Sequence, residues 1–315
     1  MPAPAAIPVV LRVEERTAFS ALACPKTGQS LQRVGDALVT PDGARRYPIV
    51  REIPRFVTGD RYVHSFSFEW NVHDHTQLDR FRADKSSERM FRAKTGLTPA
   101  EVRGKLVLDA GIGAGRFADV LARWGATVVG VDLSYAVEAA QVSFAGLPNV
   151  LVCQADIGNL PFRPGTFDYI VSLGVLHHTP DTRRYFDCLP RLLKPGGEIA
   201  IWVYPPESEY TTRARWIPFT SRIPRAWCYS FCKVFVPWAQ RRKTSPLVKQ
   251  LCHLFPISDQ GLGIDNDVLD TFDAYSPRYL GLHSPQEVSG WFRAAGLTNI
   301  REYPWPTAVR GRRAA

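Results

Sequence analysis

Short apolar runs recur along the middle of the chain. Lys105 to Asp109, Thr127 to Asp132, Val150 to Asp156, Phe167 to Leu173 and Glu198 to Val203 each read as a buried strand. Stretches of helical spacing lie between them. Phe117, Val120, Leu121 and Trp124 fall at i, i+3, i+4 and i+7, and Gly125 can close that helix. Strands alternating with crossover helices predict an α/β fold with a mostly parallel sheet. Residues 206–275 interrupt the alternation. It resumes over 276–315, with a helix from Pro285 to Ala295 and two strands.

The texture differs at the N-terminus. Residues 19–57 carry short apolar runs between Gly and Pro, with a turn at Pro41-Asp42-Gly43, and predict a small β-rich unit. Residues 60–103 are polar and helical in pieces. The expected organisation is a β-rich unit over 1–58, a helical lid or linker over 59–103 and an α/β core over 104–205. A basic aromatic helical insertion over 206–275 and the rest of the core over 276–315 complete it.

Composition narrows the class. The 315 residues are 45% hydrophobic and 22% charged, which excludes a disordered chain and a disulfide scaffold. Six cysteines are dispersed, and Cys153 falls within a predicted buried strand, so reduced thiols in the cytosol are expected. No apolar run is long enough to span a bilayer, and Met1 to Val13 lacks the pattern of a signal peptide.

The chemistry begins at Asp109-Ala110-Gly111-Ile112-Gly113-Ala114-Gly115-Arg116, between a strand and a helix. Glycine permits tight turning and close approach of a ligand to the backbone. Asp132 ends the next strand, where a carboxylate can accept both hydroxyls of a ribose. A plain strand-to-helix turn would not need that aspartate. A dinucleotide requires G-x-G-x-x-G, and Arg116 occupies the third glycine's place. The pattern suits a nucleoside cofactor without phosphates.

Five ordered motifs now resemble the class I methyltransferases that use S-adenosylmethionine (SAM), of the type 11 kind. They are the glycine loop with Asp132, Ala155-Asp156-Ile157 before Leu160-Pro161-Phe162, Phe167 to Ser172, Leu173-Gly174-Val175-Leu176-His177-His178, and Leu192-Leu193-Lys194-Pro195-Gly196-Gly197. The resemblance implies a Rossmann-like, seven-stranded, mostly parallel sheet. It implies SAM held by Asp109, Gly111, Gly113, Gly115, Asp132, Leu133, Asp156, Ile157 and Leu173. Cys24-Pro25-Lys26-Thr27, with Tyr47-Pro48-Ile49-Val50 and Ile53-Pro54, resembles the zinc-ribbon-like activator subunit of some methyltransferases. Thr27 stands where a zinc version needs cysteine, so no metal is expected.

An oxygen acceptor benefits from a general base. His177 and His178 follow the fourth core strand and are the candidates, His178 ahead; the alternative is that one packs and the other caps a helix. Tyr275, Arg278 and His283 are placed near the acceptor, and Phe66, Phe68 and Trp70 in a helix closing over SAM.

Charge sharpens the reading last. Lys and Arg number 39 against 30 Asp and Glu, a net +9. Residues 211–258 hold nine basic residues and no acidic one, so the rest of the chain is balanced. Aromatic residues interleave with them, and Pro218, Pro224, Pro237, Pro246 and Pro256 are expected to cut the segment into short helices. One reading is a cap with its aromatic face inward and its basic face solvated. A second is a lid meeting a lipid-linked acceptor at an anionic membrane. A third is RNA binding. Cys228 and Cys232 are expected to pack on one helix face. The function expected is methylation, foremost at oxygen, of a small or lipid-linked acceptor in a biosynthetic pathway. The rivals are a tRNA methyltransferase and a non-catalytic binding protein.

Overall fold

The structure is a computed structural model that describes residues 18–58, 79–81, 85–259 and 263–315. The aromatic trio at 66, 68 and 70 lies outside these residues.

Seven strands form the main sheet: β5 (Leu106–Ala110), β6 (Thr127–Asp132), β7 (Val150–Gln154), β8 (Phe167–Leu173), β9 (Leu193–Trp202), β10 (Leu297–Glu302) and β11 (Ala308–Arg313). Their order is β10-β11-β9-β8-β5-β6-β7. The pairs within β9-β8-β5-β6-β7 are parallel, while β11 runs antiparallel to both β9 and β10. This is the class I methyltransferase arrangement that the motifs imply. The central strands are apolar on both faces, because helices cover each side. Val128, Val129 and Val131 of β6 are fully buried, and each such side chain is worth about 1.5–3 kcal/mol.

The helices follow the same logic. α1 (Ser86–Thr95) and α2 (Pro99–Val102) precede β5. α3 (Arg116–Arg123) and α4 (Ala136–Ser143) are the first crossovers, and α5 (Thr182–Asp187) follows β8. Trp124 caps α3, and Gly125 follows at φ +86°. β9 begins earlier than the apolar run suggests. Leu193 pairs with Phe167, then the register shifts, so Pro195-Gly196-Gly197 is a bulge inside the strand rather than a turn before it.

The N-terminal unit is a four-stranded antiparallel sheet of β1 (Gln32–Val34), β2 (Ala37–Val39), β3 (Arg46–Val50) and β4 (Ile53–Pro54), in that order. It shares core with the main domain: Leu22, Leu38 and Ile49 pack in one cluster with Leu151 and Phe162. Arg55 runs parallel to Gln154, and the Phe56 amide donates to the Gln154 carbonyl at 2.8 Å. The free edge of β7 is thereby covered, which blocks pairing with another chain. Arg55 is buried against Gln154 and Glu138.

The insertion comprises α6 (Ser208–Thr220), α7 (Arg225–Arg241), α8 (Pro246–Leu254) and α9 (Ile264–Tyr275), followed in the core by α10 (Pro285–Ala294). Two prolines fail to cut it: Pro218 lies inside α6 and Pro237 inside α7. A proline removes one backbone bond. Burial of Cys228, Cys232, Val236 and Ala239 along one stripe of α7, with Cys228, Cys232 and Val236 clustering with Val268 and Phe272 of α9, carries the helix through. The six cysteines are free thiols. The aromatic residues do not all turn inward, contrary to the cap reading. Trp227, Phe231 and Val234, at i, i+4 and i+7 of α7, are 73%, 59% and 73% exposed.

Candidate active site

The chain steps from β5 outward to β6 and β7, then returns to β8 on the other side of β5. Ligands of open α/β sheets bind beyond the strand ends at such a reversal. The C-terminal ends of β7, β6, β5 and β8 lie side by side there. They carry Asp156 and Ile157, Asp132 and Leu133, Asp109 to Gly115, and Leu173, so the topology brings together every residue assigned to the cofactor.

The loop after β5 is pinned to β6. The amides of Gly111 and Ile112 both donate to the Val131 carbonyl, at 2.8 and 2.9 Å. Gly111 has φ +98°, and a Cβ there would lie 2.3 Å from the Val175 side chain. A Cβ on Gly115 would meet the Phe144 ring at 2.4 Å. Only glycine fits either place. The Asp132 carboxylate accepts from the Gly113 amide at 3.0 Å and from the amide and hydroxyl of Ser134 at 2.8 and 2.7 Å. One aspartate thus sets the loop and the end of β6 together. Asp156 caps the turn that follows β7, accepting from the Gly158 amide at 2.9 Å. Burial, and then the nearby charge of Asp132, push the Asp109 carboxyl up to about 7. Burial also raises Asp132, against its hydrogen bonds.

His177 and His178 sit in a single turn, Leu176–His178, after β8. His178 Nδ1 lies 3.1 Å from the carbonyl oxygen of Tyr279. A carbonyl only accepts, so Nδ1 carries the proton and the lone pair is on Nε2. Burial lowers its pKa to about 4, so the ring is neutral near pH 7. His177 is fully buried, and among the described residues neither ring nitrogen has a hydrogen-bond partner. It stacks 3.9 Å from the Tyr204 ring and 4.0 Å from the His178 ring. Burial first, then the charges of His178, His283 and Lys94, hold its pKa well below the ordinary value.

The residues expected from the C-terminal side divide. His283 stays at the site: its amide donates to the Tyr204 carbonyl at 2.9 Å and its Nδ1 meets Glu287 at 3.0 Å. Tyr275 does not. It packs in the insertion core and donates its hydroxyl to the Pro256 carbonyl at 2.9 Å. Arg278 is exposed. Tyr275 ends a helix whose buried side faces α7 rather than the sheet, and Arg278 lies in the loop beyond that helix.

Residues that the motifs did not flag complete the surroundings. Lys94 of α1 is buried over the Trp202 ring. Tyr204 follows β9, and Asp270 on α9 faces Lys94, Arg116 and Arg213 closely enough to feel their charges. Burial, then Asp273 and Tyr210, raise the Tyr204 hydroxyl well above its ordinary range. One sequence signal existed for Lys94. It lies three residues after Phe91 and seven after Ser87, in register with the buried stripe of α1.

The methyltransferase domain family matches residues 108–201. The chain is similar to the ubiquinone biosynthesis O-methyltransferase of Paracidovorax citrulli, at 37% identity over 35% of this chain and 45% of that one. It is also similar to the tRNA U34 carboxymethyltransferase of Ruthia magnifica subsp. Calyptogena magnifica, at 32% identity over 32% of this chain and 33% of that one. A chain of the solved complex between the Haloferax volcanii Trm112 methyltransferase activator and a methyltransferase is 17% identical. That match covers 80% of this chain and 98% of that one, with a TM-score of 0.47. The chain spans between 33% and 62% of the length of these curated relatives.

The residues present fit the cofactor of this family. Two carboxylates, the buried Asp109 and the half-buried Asp132, each held above the usual range, are relieved by a bound cation, which favours their ionised form. SAM is such a cation and carries a ribose diol. Residues 108–201 accordingly match the methyltransferase domain family, and they carry the parallel strands β5 to β9 of the seven-stranded sheet.

Proposed function

We propose that the protein methylates a hydroxyl of a small or lipid-linked organic acceptor in a biosynthetic pathway. The observation that carries this reading is the tie between His178 Nδ1 and the Tyr279 carbonyl, which leaves a neutral imidazole with its lone pair on Nε2 at the end of β8. In this reading Asp132 accepts the ribose hydroxyls. The loop at Gly111, Gly113 and Gly115 passes beneath the amino-acid end, with Asp109 behind it. Asp156 and Ile157 meet the adenine, Leu133 follows Asp132 beside it, and Leu173 lies beside the sulfonium. When bound, SAM supplies a methyl group on a positively charged sulfur. The protein's work is to align the acceptor, exclude water and take its proton. Alignment supplies much of the rate, and a base supplies about 10²–10⁴-fold. His178 Nε2 takes the proton, and His177 packs behind it against Tyr204.

The similarity to an enzyme named for ubiquinone biosynthesis supports an oxygen acceptor. The exposed apolar stripe of α7 supports a lipid-linked one. Trp227, Phe231 and Val234 face outward on a segment without acidic residues from 211 to 258, which suits peripheral docking on an anionic bilayer. The relative named for tRNA favours a second reading, in which the same basic surface meets RNA.

Transfer of labelled methyl from SAM into a cell extract, with products fractionated into RNA, lipid and small molecules, tests these readings. Label is expected in lipid or small molecules. Label confined to RNA selects the second reading, and a protein that does not bind SAM defeats both.

A further inference from the structure

Lys94 is a buried lysine whose amine end lies against aromatic rings. It is 2% exposed, and its Nζ lies 3.1 Å from the centre of the Trp202 ring and 5.0 Å from that of Trp305. Among the described residues no carboxylate, carbonyl or hydroxyl accepts from it. Three elements face it. Arg116 on α3 opposes its charge, and Asp270 on α9 supports it more weakly. His177 at the end of β8 is repelled by it in turn. Burial outweighs these charges and holds the ammonium well below its ordinary pKa.

His177 is the second such group. Its ring centre lies 6.2 Å from that of Trp202, and both of its nitrogens are buried without a hydrogen-bond partner among the described residues. Two buried bases therefore flank one indole at the end of β9. Native structures satisfy buried polar groups, and a group that receives partners only from a ligand marks where the ligand goes. The Trp202, Tyr204 and His177 rings, with centres 3.9–6.2 Å apart, cluster at this end of β9: His177 lies 30° from the Tyr204 plane and edge-on to Trp202. Arg213, 7% exposed, adds a further buried cation near Tyr204.

We propose that Lys94, Trp202 and His177 form an acceptor subsite for a carboxylate on a planar ring, with Lys94 as its counter-charge. The subsite rests on the methyltransferase reading and adds the acceptor's class, an aromatic or otherwise planar acid. Binding carries a defined proton. The empty amine takes one proton from solvent onto the Nζ lone pair, forming an N–H bond, and the ammonium then pairs with the carboxylate. No other bond changes.

The test uses the full chain saturated with S-adenosylhomocysteine, with benzoate as the probe. Titration calorimetry at about pH 9, below the ordinary lysine value of about 10.4, is repeated in buffers of different ionisation enthalpy. The expected result is saturable benzoate binding with uptake of close to one proton. Lys94→Met is expected to lose at least tenfold in affinity together with the uptake. Lys94→Arg, charged at every pH used, is expected to bind benzoate without uptake, which keeps the test open if the methionine variant does not fold. Absence of benzoate binding, binding without uptake in the wild type, or uptake retained in Lys94→Met overturns the subsite. S-adenosylhomocysteine is titrated first. Failure at that step defeats the methyltransferase reading, whereas success there followed by failure with benzoate defeats the subsite alone.

Discussion

His178 on the turn after β8 and Tyr279 in the segment after the insertion are joined by one hydrogen bond, 3.1 Å from Nδ1 to the carbonyl oxygen. The bond fixes the imidazole's tautomer and ties the end of the insertion to the end of the sheet. Replacing His178 by Ala removes the base and leaves the glycine loop and Asp132 in place. Turnover is expected to fall by about 10²-fold or more, while SAM affinity, read by calorimetry, changes less than about twofold. Unchanged turnover removes His178 as the base.

The same burial makes the fold sensitive to acid. The His178 pKa falls from 6.5 to about 4 on folding. Below the unfolded value the unfolded chain binds a proton that the folded chain refuses. The contribution is whole above pH 6.5 and is lost as pH falls toward 4, by an amount on the order of 3 kcal/mol. Denaturant midpoints measured from about pH 7 to 4 should drop in the wild type. They should drop less in His178→Phe, which has no proton to gain.

Gly111 carries a constraint of a different kind. Its φ of +98° is strained for any other residue, and its missing Cβ makes room for Val175. Gly111→Ala is expected to lose about 1–3 kcal/mol from the backbone and a similar amount from crowding, seen in urea unfolding. Adding Val175→Ala should return part of the second loss and none of the first. A double variant no more stable than Gly111→Ala refutes the contact as a source of crowding.

How legible these features were follows from their physics. The strands β5 to β8 and the loop at Gly111, Gly113 and Gly115 announce themselves, because a doubly covered parallel sheet and a tight loop each demand a local residue pattern. Lys94 and Tyr204 demand nothing locally. Lys94 is meaningful only once α1 is laid over Trp202, and Tyr204 only once the segment at 281–283 closes over His177. The bulge in β9 was hidden for a related reason: Pro195-Gly196-Gly197 carries turn chemistry, and pairing with β8 and β11 overrides it. Within the insertion, proline spacing misled because the buried stripe of α7 outweighs a single missing backbone bond at Pro237.

That stripe has an opposite side, and it yields the last prediction. Cys228, Cys232 and Val236 are buried on α9, whereas Trp227, Phe231 and Val234 point into solvent beside Arg and Lys. A helix apolar on two faces has more apolar surface than its own core uses, and contiguous exposed patches of this kind mark contacts. With basic residues around it the favoured contact is an anionic bilayer, where each basic residue near the surface adds about 1 kcal/mol. In co-sedimentation, vesicles containing phosphatidylglycerol should bind the protein and vesicles of phosphatidylcholine alone should not. Trp227→Ser with Phe231→Ser should lower that binding at least tenfold. Folding stability should move by less than about 0.5 kcal/mol for each change, because neither side chain packs in the core. Equal binding to both vesicle types would assign the stripe to a different contact, and loss of stability in the double variant would return it to the fold.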